Sequence, residues 1–262
     1  MKRYLVYVRQ SFLANAAFRF DTFMRIVDVC LKVFIFCCIY RALYGGRGEV
    51  DGITLAMVTT NFVLSIGLGA AFSLDEGYLP YRINNGSIGQ ELLKPICFRG
   101  ILLASDIGNI VFNLLFQFLP AVVFAVCTVG LLAPSSALAL AAFLVSVALG
   151  FLVLWTLNFI FQAFSFWIIN TWSLRTIKNV FVDVLSGAMI PLWFMPDWMQ
   201  GFMRFTPFSS IYFEPVKIYL GQLAGSDILL SFLRQCGWIA ILAVLGEAIW
   251  RRGIRKLVVQ GG

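Results

Sequence analysis

Apolar residues fall into six long runs, near 22–44, 53–73, 101–132, 137–169, 179–194 and 228–250, separated by short polar segments. A helix needs roughly 20 apolar residues to cross about 30 Å of hydrocarbon, so each run predicts one transmembrane helix. The third and fourth exceed that length, which predicts tilted or protruding helices. Only Ala133-Pro134-Ser135-Ser136 separates them, so they form an antiparallel hairpin. The fifth run is short and leads into a Pro-punctuated, aromatic-rich stretch, 191–215, unsuited to span alone. Ahead of the first run, Leu5, Val8, Phe12 and Ala16 recur at helical spacing, while Lys2, Arg3, Arg9 and Asn15 lie mostly off that stripe. That pattern predicts an interfacial amphipathic helix over 1–21, lying on the inner membrane surface. Arg9, Arg19 and Asp21 interrupt any cleavable signal core. The chain, 1–262, thus reads as a single membrane domain: the interfacial helix, spans over 22–73, a polar loop at 74–100 that turns helical around 89–93, spans over 101–169, the fifth span and outer segment at 179–227, the sixth span, and a tail at 251–262.

Composition sharpens this. Apolar residues make up 60% and charged residues 13%, with mean hydropathy +0.88, against roughly 45–50% and about 25% in soluble domains. The fold class is all-α integral membrane, with six transmembrane helices. The absence of histidine removes imidazole-based triads and His-ligated metals. The six cysteines contain no CxxC pair and lie mostly in apolar runs, as small buried hydrophobes would. Of the 20 Lys and Arg, five (Arg41, Arg47, Arg204, Lys217, Arg234) fall outside if the N-terminus is inside, and Arg25 and Lys32 lie within the first span. The remaining thirteen are inside, so both termini are expected to be cytoplasmic. The sequon Asn85-Gly86-Ser87 is then unglycosylated. The +7 net charge follows from that bias, and no basic stretch interleaved with aromatics suggests nucleic acid.

Polar groups inside spans must be satisfied without bulk water. Asp21, Arg25, Asp28 and Lys32 share a face of the first span, where Asp28 can pair with both Arg25 and Lys32. They form either a polar wall or a self-neutralised ladder. Asp106, Asn109, Asn113 and Gln117 make a stripe on the third span, and Asn158, Gln162 and Ser165 a shorter one on the fourth, either lining a path or joining helices. Asp183 and Glu247 stand alone in their spans. Ser65, Gly69 and Ser73 form a small-residue ladder suited to close helix packing. No Gly-Lys dipeptide occurs, so no phosphate-binding loop of the GxxxxGK type is present, and uphill transport needs an ion gradient or another polypeptide.

Three segments together resemble the permease subunits of ABC-2 type transporters. The first is Asn85-Gly86-Ser87-Ile88-Gly89-Gln90-Glu91-Leu92-Leu93-Lys94-Pro95-Ile96; the second is Ser186-Gly187-Ala188-Met189-Ile190-Pro191-Leu192-Trp193-Phe194-Met195-Pro196-Asp197-Trp198; the third runs from Thr206-Pro207-Phe208-Ser209 to Tyr219-Leu220-Gly221, with Thr-Pro where the family has Asn-Pro. The ending Val258-Val259-Gln260-Gly261-Gly262 is similar to one subgroup. The resemblance implies a non-catalytic exporter subunit in a prokaryotic plasma membrane, providing half of a pathway. Its implied partners are two ATPase chains, which bind the ATP and magnesium, and a second permease chain, identical or paralogous; this chain itself binds no cofactor. Gly86, Ile88, Gln90, Glu91, Leu92, Leu93 and Pro95 would form the coupling segment, with Gln90, Glu91 and Leu92 touching the ATPase. Asn61, Ser65, Asn109, Asn113 and Gln117 would line the translocation path, and Pro191, Trp193, Pro196 and Trp198 the outer gate among short extracellular helices. The competing expectation is a self-contained carrier or channel with Asp106, Asp183 or Glu247 as ion ligands. A membrane enzyme is disfavoured, because the available carboxylates lie on different spans. Hydrophobic walls with neutral polar stripes suit an amphipathic drug, peptide or lipid-like cargo.

Overall fold

The structure, a computed structural model, describes residues 2–50, 52–223 and 225–256; the Val258–Gly262 ending lies outside them. It is nearly all helix: α1 (Lys2–Ala17), α2 (Arg19–Tyr44), α3 (Leu55–Ala71), α4 (Tyr78–Asn84), α5 (Ile88–Leu92), α6 (Phe98–Asn113), α7 (Leu119–Thr128), α8 (Ala137–Ala163), α9 (Trp172–Leu185), α10 (Asp197–Arg204), α11 (Phe213–Tyr219) and α12 (Ser226–Arg255). A two-residue hairpin, Glu49–Val50 with Ile53–Thr54, precedes α3. Among the described residues, three helices are long and apolar enough to cross a membrane: Phe98–Thr128, Ala137–Phe166 and Ser226–Arg255.

Local chemistry sets the helix ends. The Thr54 hydroxyl accepts from Met57 N at 3.2 Å and starts α3, and the Ser136 hydroxyl accepts from Ala139 N at 3.0 Å and starts α8. Between α6 and α7 lies a π turn, Leu114–Phe118, directly before Pro120. Proline lacks the N–H and crowds the carbonyl four residues back, and the wider turn relieves both conflicts within a continuous rod.

One expectation is corrected. The fifth run is not one helix over 179–194. The helix begins earlier, at Trp172, and stops at Leu185; Gly187 then takes φ +76° and a single 3₁₀ turn follows at Leu192–Phe194. A left-handed residue cannot continue an α-helix, and a Cβ at Gly187 would also crowd Phe213 and Leu192. The N-terminal helix lies along α6: Tyr4 meets Gly100, Val8 and Ser11 meet Gly108, and Phe12 meets Phe112 edge-on at 5.4 Å. Leu5, on the apolar stripe, is exposed.

Neighbouring elements fix the directions of the rods. Contacts between α8 and α12 advance together, from Ser146 with Gln235 to Gly246 with Phe159 and Gly253 with Phe166, so these helices are parallel. Helix α3 runs opposite to the α6–α7 rod, with Thr60 beside Leu132, Gly67 beside Phe118 and Ala71 beside Asn113. One end of the bundle therefore gathers the start of α1, α4, α5 and the end of α12. The other gathers the hairpin, α10 and α11. The principal core lies between α3, α8 and the segment before α11, where Tyr212 stacks on Phe72 with ring centroids 5.9 Å apart and Ile211 is fully buried. In lipid, such contacts are won by close fit rather than by escape from water. At Gly150 a Cβ would come within 2.6 Å of the Ile211 carbonyl oxygen. Gly150→Ala is expected to lower the melting temperature of the detergent-solubilised chain, with a cost of about 1–3 kcal/mol for overpacking against backbone.

Candidate coupling segment and transport cavity

The chain leaves α3 through Asp75 and Glu76, and these two residues tie it to three other helices. Asp75 N donates to Asp106 Oδ1 of α6 at 3.2 Å, and Asp75 O accepts from Gln162 Nε2 of α8 at 3.0 Å. The Asp75 carboxylate accepts from Gly77 N at 3.0 Å and Tyr78 N at 3.1 Å, which opens α4. Asp106 Oδ2 accepts from Trp155 Nε1 at 3.0 Å, closing the link to α8. Glu76 accepts from Lys178 Nζ of α9 at 2.5 Å, and the same ammonium donates to Asn158 Oδ1 at 2.9 Å. Lys178 is only 2% exposed, so its charge survives through these partners. The fourth-span stripe thus joins helices: Asn158 and Gln162 both hold the α3–α4 turn.

From this knot α4 and α5 project as a short paired unit. The family resemblance suggests Gln90, Glu91 and Leu92 as its outward face, but the fold turns Glu91 inward: it is 5% exposed and pairs with Lys94 at 2.7 Å and Arg82 at 3.6 Å. That hydrogen bond holds the Lys94 ammonium above the usual lysine range. Ile88 is buried against Leu79, Phe98 and Trp250, and Leu92 packs at the edge of the same cluster. The outward face belongs to Gly86, Gln90, Leu93 and Pro95, with Tyr81 of α4 beside them. Leu93 is 86% exposed. Gly86, at φ +74°, makes the turn between the two helices.

Above the knot, a cavity of about 710 Å³ opens between α2, α3 and α9. Ser65, Gly69 and Ser73 line it, so the small-residue ladder makes room for a void instead of a neighbouring helix. On α2, Asp28 pairs with Lys32 at 2.7 Å, whereas Arg25 pairs with Asp21 rather than Asp28, also at 2.7 Å. Arg25, Asp28 and Lys32 all face the cavity, as does Asp183 of α9. The third-span stripe divides among different partners. Asn109 accepts from Asn15 of α1 at 2.7 Å. Gln117, in the π turn, donates to Asn113 at 2.7 Å and lines this cavity, while Asn109 and Asn113 border a second void of about 540 Å³ beside α1. Asn61 is fully buried one helical turn from Ser65 and borders neither void; its two side-chain polar atoms and the Ser65 hydroxyl have no partner among the described residues.

At the opposite end, Pro191 is buried and Trp193 packs edge-on against Phe213 at 5.0 Å, while Pro196 and Trp198 point away, Trp198 at 73% exposure. A smaller void of about 310 Å³ lies beneath them, where Glu214 accepts from Ser231 at 2.6 Å and Arg234 at 2.8 Å. Burial pushes the nearby Lys217 ammonium below its ordinary range. Glu247, apparently solitary along the sequence, is held by Arg99 and Arg251 at the α4–α5 end.

Residues 26–261 match the family description of ABC-2 family transporter proteins. The chain belongs to the ABC-2 transporter family. It is a membrane transport component, of a family that is generally non-catalytic. No curated protein matches it. The ABC-2 match spans α3 to α12 and most of α2, and so includes both the knot and the cavity.

Lys178→Met is expected to destabilise this ABC-2 chain by about 1–3 kcal/mol, because the half-buried Glu76 loses its counter-charge and the buried Asn158 its donor. Adding Glu76→Gln should recover part of that loss, as read from thermal unfolding of both variants.

Proposed function

We propose that this chain is the six-span permease subunit of an ATP-driven exporter, with both termini in the cytoplasm of a prokaryotic cell. Two copies of a separate ATPase, carrying ATP and magnesium, dock beneath it, and a second permease chain completes the pathway. The observation that carries this reading is Leu93: a large apolar side chain, 86% exposed on a unit wired by part-buried hydrogen bonds to α6, α8 and α9. An exposed apolar knob on a braced base suits insertion into a groove of a partner protein. Movement of that base would pull on these three helices together, and both α9, through Lys178, and α3, through its own turn, border the larger cavity.

The clustering of α4, α5, the start of α1 and the end of α12 at one end agrees with a cytoplasmic assignment for both termini. That end also carries Arg82, Lys94, Arg99, Arg175, Arg251, Arg252, Arg255 and Lys256, as the positive-inside bias requires. Of the carboxylates a self-contained carrier would use, Asp106 is occupied by Trp155 and the Asp75 backbone and Glu247 by two arginines, which leaves that reading with Asp183 alone.

Leu93→Glu is expected to cut recovery of the ATPase in affinity copurification at least about tenfold, the scale of one lost anchor residue, with no change in melting temperature. Undiminished recovery would refute the docking assignment, and concentrative transport by this chain alone, without ATP, would refute the proposal as a whole.

A further inference from the structure

Three cations and three carboxylates line the larger cavity, but their pairing leaves one carboxylate over. Each cation is already engaged: Arg25 with Asp21 at 2.7 Å, Lys32 with Asp28 at 2.7 Å, and Lys178 with Glu76 at 2.5 Å. Asp183 is the lining carboxylate left over. Its side chain is exposed to the void and has neither an ion pair nor a hydrogen bond among the described residues. Around it the wall carries Phe36, Phe72, Leu154 and Tyr212, and the Lys32 and Lys178 ammoniums, each paired with another carboxylate, act on it only at longer range.

A carboxylate in such surroundings is costly unless a cation meets it, and aromatic faces add attraction for the same sign of charge. A void of about 710 Å³ is of the size that holds a drug-sized molecule. We infer that Asp183 makes this cavity selective for amphipathic organic cations, whose apolar body fills the wall of Phe36, Phe72 and Tyr212 while the positive centre sits at the carboxylate. The inference rests on the transporter function proposed above and names the charge class of its cargo. An acidic or neutral amphiphile would leave the same carboxylate unmatched.

Tetraphenylphosphonium and tetraphenylborate share shape and size and differ in the sign of charge, so they test this directly. The permease with its ATPase, in nanodiscs, is titrated with each ion by equilibrium binding. The phosphonium is expected to bind at least about tenfold more tightly, the effect of one charged contact. Asp183→Asn should weaken phosphonium binding about tenfold and leave the borate unchanged or tighter, and Asp183→Glu should keep the preference. Equal binding of the two ions by the unaltered protein would overturn the inference. So would unchanged phosphonium affinity in Asp183→Asn, including the case where that variant instead loosens the association of two permease chains, since Asp183 would then serve a partner helix. If no ATPase associates, the transporter mechanism fails on its own, and the same titration of the full chain still decides the charge preference.

Discussion

A helix end leaves carbonyls and amides in need of partners, and here that constraint is met by Asp75 and Glu76, in the six-residue connection between α3 and α4. Asp75 gives its N–H to Asp106, its carbonyl to Gln162 and its carboxylate to the first amides of α4. Glu76 supplies the counter-charge that lets Lys178 remain buried on α9. Because these bonds run to three different helices, a shift of the turn would break several of them at once. The α4–α5 unit is rigidly positioned for that reason, even though α5 is only five residues long.

The same turn bounds the larger cavity. Small side chains on α3 keep the space open, and paired charges on α2 line it without leaving excess positive charge. Close packing is placed elsewhere, where Gly67 meets Phe118 and Gly108 meets Val8 and Ser11. Two uses of small residues therefore coexist in one bundle: glycines at helix crossings, and a Ser-Gly-Ser row facing a void.

The long spans were legible because hydropathy needs only length and composition: the third, fourth and sixth runs appear as helices within a few residues of their expected ends. The fifth was not, since the break depends on the left-handed backbone of Gly187, which an apolar average does not register. Helix α4 is seven residues long with Pro80 in its first turn, too short for periodicity, although an Asp followed three residues later by the helix start was a usable signal. The family motif located the α5 segment but not its orientation. Glu91 turns inward because Arg82 and Lys94 flank it in space, and only Lys94 is near it in sequence. The Asn-Gln stripe on the third span was read as one surface, yet α1, α3 and the cavity each take a part of it.

The π turn at Leu114–Phe118 has a geometric consequence for that rod. One residue more per turn advances the screw by about 100° relative to an uninterrupted α-helix. Below it the rod beds on α1 and α3, and above it Ala121 and Ala125 are fully buried, with Ala125 in the α2–α3 contact. The extra residue re-indexes the upper half, so that a single polypeptide segment can serve two differently placed sets of helices.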